Sequence, residues 1–311
     1  MKKLPKILVI LGTTSSGKTK LAVSLARLYN GEIVGADSRQ VYRGMDIGTG
    51  KDLAEYGSGT NRVKYHLIDI ADPKRAYNLK RYQKDAYKAI DNILKRNKLP
   101  ILVGGSGLYL QAIVDGYLLS ENKPKTSLRR LYESMELSKL QTIVKGLDKA
   151  FYDRLNDSDK SNKRRLVRYA EILKTNLLTK KELQKSLSSQ SSTKYDCLII
   201  GLDCSLETIR QRIKKRLNQR FKEGMIEEVE RLHEQGISWT RLQSFGLEYK
   251  YISLYLQGKI KKKEMKEKLN IAIGQFAKRQ KSWFKRWEKQ GREICWVKNK
   301  KSLKDILSFI S

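Results

Sequence analysis

The chain has 311 residues, 40% of them hydrophobic, and 65 Lys and Arg stand against 33 Asp and Glu for a formal net charge of +32. That length can bury a real core in one large domain with an insertion, or in two domains. The cationic surplus fits either a polyanionic partner or a Lys-rich compositional bias. Cys197, Cys204 and Cys295 have no metal-ligand spacing and make no disulfide framework, and no apolar run reaches bilayer length, so a cytoplasmic protein with no membrane partner and buried, reduced thiols is expected.

The apolar run Ile7 to Leu11 predicts a buried strand, and Lys18 to Tyr29 predicts a helix with Leu21, Ala22, Leu25, Ala26 and Leu28 on one side. Between them Gly12, Thr13, Thr14, Ser15, Ser16, Gly17, Lys18 and Thr19 match the phosphate-loop pattern G-x-x-x-x-G-K-[ST]. The glycines let the backbone bend so that successive N–H groups face an anion. Lys18 adds a positive charge, the Thr19 hydroxyl suits Mg2+ bridging the phosphates, and the helix N-terminus adds its dipole. Which phosphate compound is held does not follow from the loop.

A second buried strand at Gly31 to Ala36 delivers Asp37-Ser38-Arg39-Gln40-Val41-Tyr42 to its carboxyl end, where an open α/β sheet carries its ligand crevice. Asp37 either stands at that crevice or caps the next turn. His66 to Ile70 is a third strand candidate, a helix runs from about Leu79 to Arg96, and Pro100 to Gly104 is the most apolar strand. It ends in Gly105-Ser106-Gly107, a possible second anion turn or a plain one, and Leu108 opens another helix.

Strand signals vanish from about Gly116 to Lys194, where basic amphipathic helices are expected, among them Ser127 to Lys139 and Asn162 to Leu173, before the low-complexity run Ser186 to Ser192. Cys197 to Leu202 restores a buried strand. The expected fold class is therefore α/β, a phosphate-loop NTPase-like parallel-sheet core in residues 1–116 and 195–311 with a helical insertion domain at 117–194. The last third is basic and helical over Ser205 to Glu223 and Met265 to Lys289, followed by a strand at Ile294 to Val297 and a helix at Ser302 to Phe309. Phe276, Trp283, Phe284 and Trp287 among these cations suit unstacked bases and a phosphate backbone; Trp283 and Trp287, four apart, equally suit the core face of the helix.

Taken together, the phosphate loop, the block Asp37 to Thr49, His66-Leu67-Ile68-Asp69-Ile70, Gly104 to Tyr109 and Ala277 to Phe284 stand in the order found in tRNA dimethylallyltransferases, which the chain resembles over nearly its whole length. The Asp37 to Thr49 block is the most specific part, since ordinary phosphate-loop kinases lack it. The resemblance implies transfer of a dimethylallyl group from dimethylallyl diphosphate to N6 of adenine 37 in the tRNA anticodon stem-loop, for tRNAs reading codons that start with U, with Mg2+ as cofactor and the protein a monomer. It makes Asp37 the group that accepts the N6 proton or hydrogen bond, and puts Lys18, Thr19 and Arg216 at the donor diphosphate; Arg216 reads otherwise as one more solvated cation. It places Asp37, Ser38, Arg39, Gln40, Ser106, Arg129, Asn162, Lys163, Arg164, Arg165 and Leu166 against tRNA, and Lys278, Arg279, Gln280, Lys281, Ser282, Trp283, Phe284 and Lys285 with them. The loop lacks the family's usual Pro and Ala, Ser106 replaces a Thr, and Glu248 stands where a Gly is usual. Prenyl transfer to a free adenine nucleotide, a phosphate-loop small-molecule kinase and an RNA-binding protein without catalysis are the competing readings.

Overall fold

The computed structural model describes residues 6–117, 119, 126–175 and 193–297. Alternate residues of β1 (Lys6–Gly12) face opposite ways and both ways are apolar, Ile7, Val9 and Leu11 entering one buried cluster and Leu8 and Ile10 another. A strand buried on both faces belongs inside a parallel sheet. After it come α1 (Lys18–Leu28), β2 (Gly31–Gly35), β3 (Tyr65–His66), α2 (Leu79–Lys95), β4 (Leu99–Gly104) and α3 (Gly107–Val114). The helical segment follows with α4 (Thr126–Ser134), α5 (Leu137–Leu147), α6 (Lys149–Arg154), α7 (Asp157–Lys160) and α8 (Lys163–Thr175). The chain then returns through β5 (Asp196–Leu202), α9 (Leu206–Lys222), α10 (Met225–Glu234), α11 (Trp239–Ser244), α12 (Leu247–Leu256), the long α13 (Lys262–Lys289) and β6 (Cys295–Val297).

Among the described residues six strands pair in parallel in the order β3-β2-β4-β1-β5-β6. With β1 central, the loop after it opens at the carboxyl end of the sheet, where parallel sheets carry their ligand crevice. α1 covers the Leu8 and Ile10 face with Ala22, Val23, Leu25 and Ala26, while the other face meets α2, α3 and the carboxyl-terminal helices. On β2 Glu32 is 1% exposed and meets Arg96 Nη2 at 2.7 Å, Lys98 at 3.1 Å and His66 Nε2 at 2.8 Å, tying β2 to the end of α2.

The backbone divides into one unit of Met1–Gly116 with Thr193–Ser311 and a second of Tyr117–Ser192. The second has its own core of Tyr132, Leu140, Val144, Phe151, Leu155, Leu166, Val167, Ala170 and Ile172. Asp148 and Asn156 cap its α6 and α7, accepting from Phe151 N and Asp159 N. Among the described residues no helix is long and apolar enough to cross a membrane.

Several expectations are corrected. Leu28 is 67% exposed and Val23 takes its place in the core. The helix expected over Ser127 to Lys139 is two, because Glu136 turns extended at φ −71°, ψ 160° and starts α5. The strand expected to reach Ile70 stops at His66, since Leu67 and Asp69 take left-handed φ of 63° and 56° and the chain instead bonds Val41 through Ile70 N and Ala71 N. The cysteines are half-buried rather than buried. Ser186 to Ser192 and Ser302 to Phe309 lie outside the described residues.

Candidate active site

The phosphate loop leaves β1 at Gly12, where an added Cβ would come within 2.6 Å of Ser16 Oγ, and enters α1 through Gly17 at φ 89°. A side chain at position 12 would thus have to displace the Ser16 hydroxyl, and Gly17 is favoured for its conformation. Ser15 is also left-handed at φ 59°, and Ser16 N donates to Thr13 O at 3.3 Å. Lys18 folds back over the loop, its Nζ 3.3 Å from Thr13 O. Burial pushes the Lys18 ammonium down to about 8, opposed by Asp37 and reinforced by Arg216. A lysine so desolvated gains most from an anion beside it.

Asp37 both caps and faces the crevice. Its Oδ1 accepts from Arg39 N at 2.9 Å and Gln40 N at 3.4 Å, which fixes the carboxylate at the cavity that Lys18 and Thr19 also line. Ser38 N donates to Ser106 Oγ at 3.2 Å, so the Gly105-Ser106-Gly107 turn anchors the chain next to Asp37. Gln40 reaches forward to Gly50 O at 2.8 Å.

The rest of that block wraps two buried charges that sequence reasoning missed. Glu228 of α10, 1% exposed, accepts from Asp46 N at 2.8 Å, Ile47 N at 2.7 Å, Gly48 N at 3.0 Å and the Tyr249 hydroxyl at 2.7 Å. Three backbone donors converging on one carboxylate make a nest that holds residues 46–48 in place. Lys51, 2% exposed, donates to Tyr42 O and Asp46 Oδ1, each at 2.7 Å, and to Asp69. Gly48 is required because Tyr249 lies where a Cβ would stand, 2.7 Å away.

Cations from α9 close the cradle. Arg216 Nη2 donates to Gly50 O at 3.3 Å and pairs with Asp52, and Arg212 Nη1 lies 3.4 Å from both Ser15 O and Ser16 O. Arg216 is therefore a cavity residue rather than a solvated cation. Glu248, 6% exposed, sits between Arg39 Nη1 at 3.4 Å and Arg220 Nη1 at 3.8 Å. Glu248 thus stands in the cavity wall, so the departure expected there bears on the cavity itself.

A second cleft adjoins the first, lined by Ser38, Ser106, Leu108, Tyr109, Arg279 and Trp283. Asp37, Arg39, Phe276 and Gln280 line both spaces. Arg39 lies 5.2 Å over the Phe276 ring, and Trp283 donates to Gln111 Oε1 at 2.9 Å. Trp283 thus edges the cleft, whereas Trp287 is 1% exposed and belongs to the core.

The eight α13 positions with expected tRNA contacts fall on two faces. Lys278, Arg279, Ser282 and Lys285 are exposed, and Lys281 turns inward to Asp203 at 2.7 Å. Phe284 is buried in the core, and for it a direct tRNA contact is corrected to a structural one; Gln280 bridges Thr14 N and Gly105 O, each at 2.9 Å, while also lining the cleft. In the insertion Arg129, Asn162, Lys163 and Arg164 are exposed and Arg165 pairs with Asp159. Leu166 is wholly buried and is likewise corrected to a core residue. Among the described residues no cluster of three His, Cys, Asp or Glu could hold a metal by itself.

Such a fold and site define a phosphate-loop α/β protein whose loop cavity meets an aromatic-edged cleft at one carboxylate. The family model described as IPP transferase matches residues 40–287, and the chain belongs to that family. Among curated relatives it is 44% identical to tRNA dimethylallyltransferase 1 of Syntrophus aciditrophicus (strain SB), over 94% of each chain. It is 46% identical to tRNA dimethylallyltransferase 2 of Treponema denticola, over 93% of this chain and 94% of that one. Among solved structures, the full-length tRNA isopentenylpyrophosphate transferase of Bacillus halodurans matches with TM-score 0.68 and 31% identity, over 98% of this chain and 95% of that one. A eukaryotic dimethylallyltransferase acting on tRNA matches with TM-score 0.77 and 25% identity, over 95% of this chain and 74% of that one.

Proposed function

We propose that this enzyme transfers the dimethylallyl group of dimethylallyl diphosphate to N6 of adenine 37 in tRNAs reading codons that start with U, as a cytoplasmic monomer. The observation that carries this reading is the position of Asp37, fixed by two backbone N–H groups and lining both the phosphate-loop cavity and the neighbouring cleft. The donor diphosphate lies in the cradle and the flipped adenine enters from the cleft, so the two substrates meet at that carboxylate.

In the transfer the N6 nitrogen forms a bond to the allylic carbon while the carbon–oxygen bond to diphosphate breaks. The N6 lone pair is delocalised into the ring, and Asp37 raises its nucleophilicity by taking the N6 proton. Negative charge gathering on the leaving diphosphate is stabilised by Lys18, Arg216 and the loop N–H groups. Mg2+ fits a site with so few protein ligands: the Thr19 hydroxyl would hold it, and the ion would neutralise diphosphate charge when bound. Exposed cations on α13 and in the insertion supply tRNA phosphate contacts.

Incubation with labelled dimethylallyl diphosphate and magnesium, with total tRNA, AMP or ATP in parallel, tests the reading. Label is expected in tRNA alone. Label in AMP or ATP would show a free-nucleotide prenyltransferase, and phosphate transfer without prenyl transfer would show a kinase.

A further inference from the structure

Arg220 stands one helical turn beyond Arg216 on α9 and is 7% exposed. Among the described residues its buried Nε has no hydrogen-bond partner. The carboxylate beside it, Glu248, stays 3.8 Å from Nη1, beyond hydrogen-bond reach, and lies nearer to Arg39 at 3.4 Å. The guanidinium packs against the left-handed Gly50, φ +65°, leaving no room for a side chain there, and beside Arg216 Nη2 at the same residue. It lines the cavity that holds Thr14, Lys18 and Asp37, and also the adjoining one at Ser15, Gly17 and Asp52.

A guanidinium out of water with an unmet donor is costly unless an anion completes it. Glu248 alone does not, because its two oxygens are shared at long range between two arginines. A diphosphate in the neighbouring loop presents acceptor oxygens in the fork geometry that arginine matches. We propose that Arg220 is a further binding residue for the donor diphosphate, beside Lys18 and Arg216, with Glu248 holding its guanidinium loosely in place. This rests on the donor reading given above and adds a contact to it.

The test is calorimetric titration of the full chain with inorganic diphosphate at fixed magnesium, without tRNA, alongside thermal unfolding. Arg220→Met alone would strand Glu248, so the decisive variant is Arg220→Met with Glu248→Gln, which removes both charges. It should melt near the wild-type temperature and bind diphosphate about 10- to 100-fold more weakly. Wild-type affinity in that folded double variant would make Arg220 a mere counter-charge and overturn the proposal. Glu248→Gln alone keeps Arg220 and should bind diphosphate at least as tightly as wild type; weaker binding there also overturns it, and this variant decides the matter should the double one fail to fold. Failure of the unsubstituted protein to prefer diphosphate over sulfate would instead sink the donor reading itself, before any substitution is made.

Discussion

In the proposed reaction Lys18 meets the donor and Asp37 the acceptor, so their substitution should separate in kinetics. Lys18→Ala should weaken diphosphate binding and also slow the single-turnover step, since its charge acts on the bound donor and more strongly on the leaving group. Asp37→Ala should leave donor affinity near wild type and slow single turnover with saturating tRNA by about 10²- to 10⁴-fold. Loss of donor binding in Asp37→Ala with a normal chemical step would make Asp37 a ligand of the metal instead. pH supplies a second reading of Lys18. Burial has lowered its ammonium to about 8, and a bound anion raises it again, so the complex holds a proton that the free protein loses above pH 8. Donor affinity should therefore be flat below about pH 8 and fall as pH rises past it, a bend that Lys18→Met removes. The phosphate loop was legible in the sequence because backbone geometry demands each residue type locally. Glu228 and Gln280 were not, since the backbone groups they bond lie 175 to 266 residues away, and Lys51 was missed although Tyr42, Asp46 and Asp69 are close in sequence, because a lysine reads as surface.

At the level of elements, apolar runs gave away the strands while polar anchors stayed hidden. β1, β4 and β5 are nearly continuous apolar stretches because parallel strands are covered on both faces. β3 was overestimated because Leu67, Ile68 and Ile70 are apolar yet belong to a loop held by left-handed residues and Val41. The two faces of α13 were legible only in part. Its buried positions Ala277, Gln280, Phe284 and Trp287 repeat at helical spacing, but a glutamine in that series reads as surface until its two backbone partners are seen. The anchoring of β2 to α2 offers a stability test. Glu32 is almost wholly buried among Arg96, Lys98 and His66, and the Arg96 guanidinium above all holds its carboxyl far below the usual carboxylate range. Its folded pKa lies below the unfolded one, so its contribution is complete above the unfolded value and is lost as pH falls below it. Glu32→Gln should cost about 3 kcal/mol in urea unfolding at pH 7, by leaving the cations facing a neutral amide. The gap from wild type should narrow steadily below about pH 4.5, the ordinary carboxylate value; a gap that stays constant with pH would mean that lost packing, not charge, carries the effect.

For the whole molecule, the question left by composition is whether a net charge of +32 marks a polyanion partner or merely a lysine-rich chain. Charge count alone gives no answer, but the placement of the cations turns the question into a test. On α13 the exposed Lys278, Arg279 and Lys285 occupy the outer face of a helix whose inner face carries Phe276 and Gln280 into the cavity. Lys84 and Lys88 are exposed on α2, away from both active-site spaces. If six phosphates of tRNA are neutralised, affinity should fall about 10³-fold between 50 and 200 mM salt, because each released counterion contributes close to one unit to the slope of log affinity against log salt. Replacing Lys278, Arg279 and Lys285 by Gln should lower that slope by about three units, whereas Lys84→Gln with Lys88→Gln should leave it unchanged. Compositional bias predicts the opposite pattern, with each lysine counting equally through the general field of the protein, so that both sets shift the affinity alike per charge removed. Filter binding of one tRNA across a salt series, with the three proteins side by side, distinguishes these. An equal effect of the two sets would detach the α13 surface from tRNA recognition while leaving the chemistry proposed for Lys18 and Asp37 untouched.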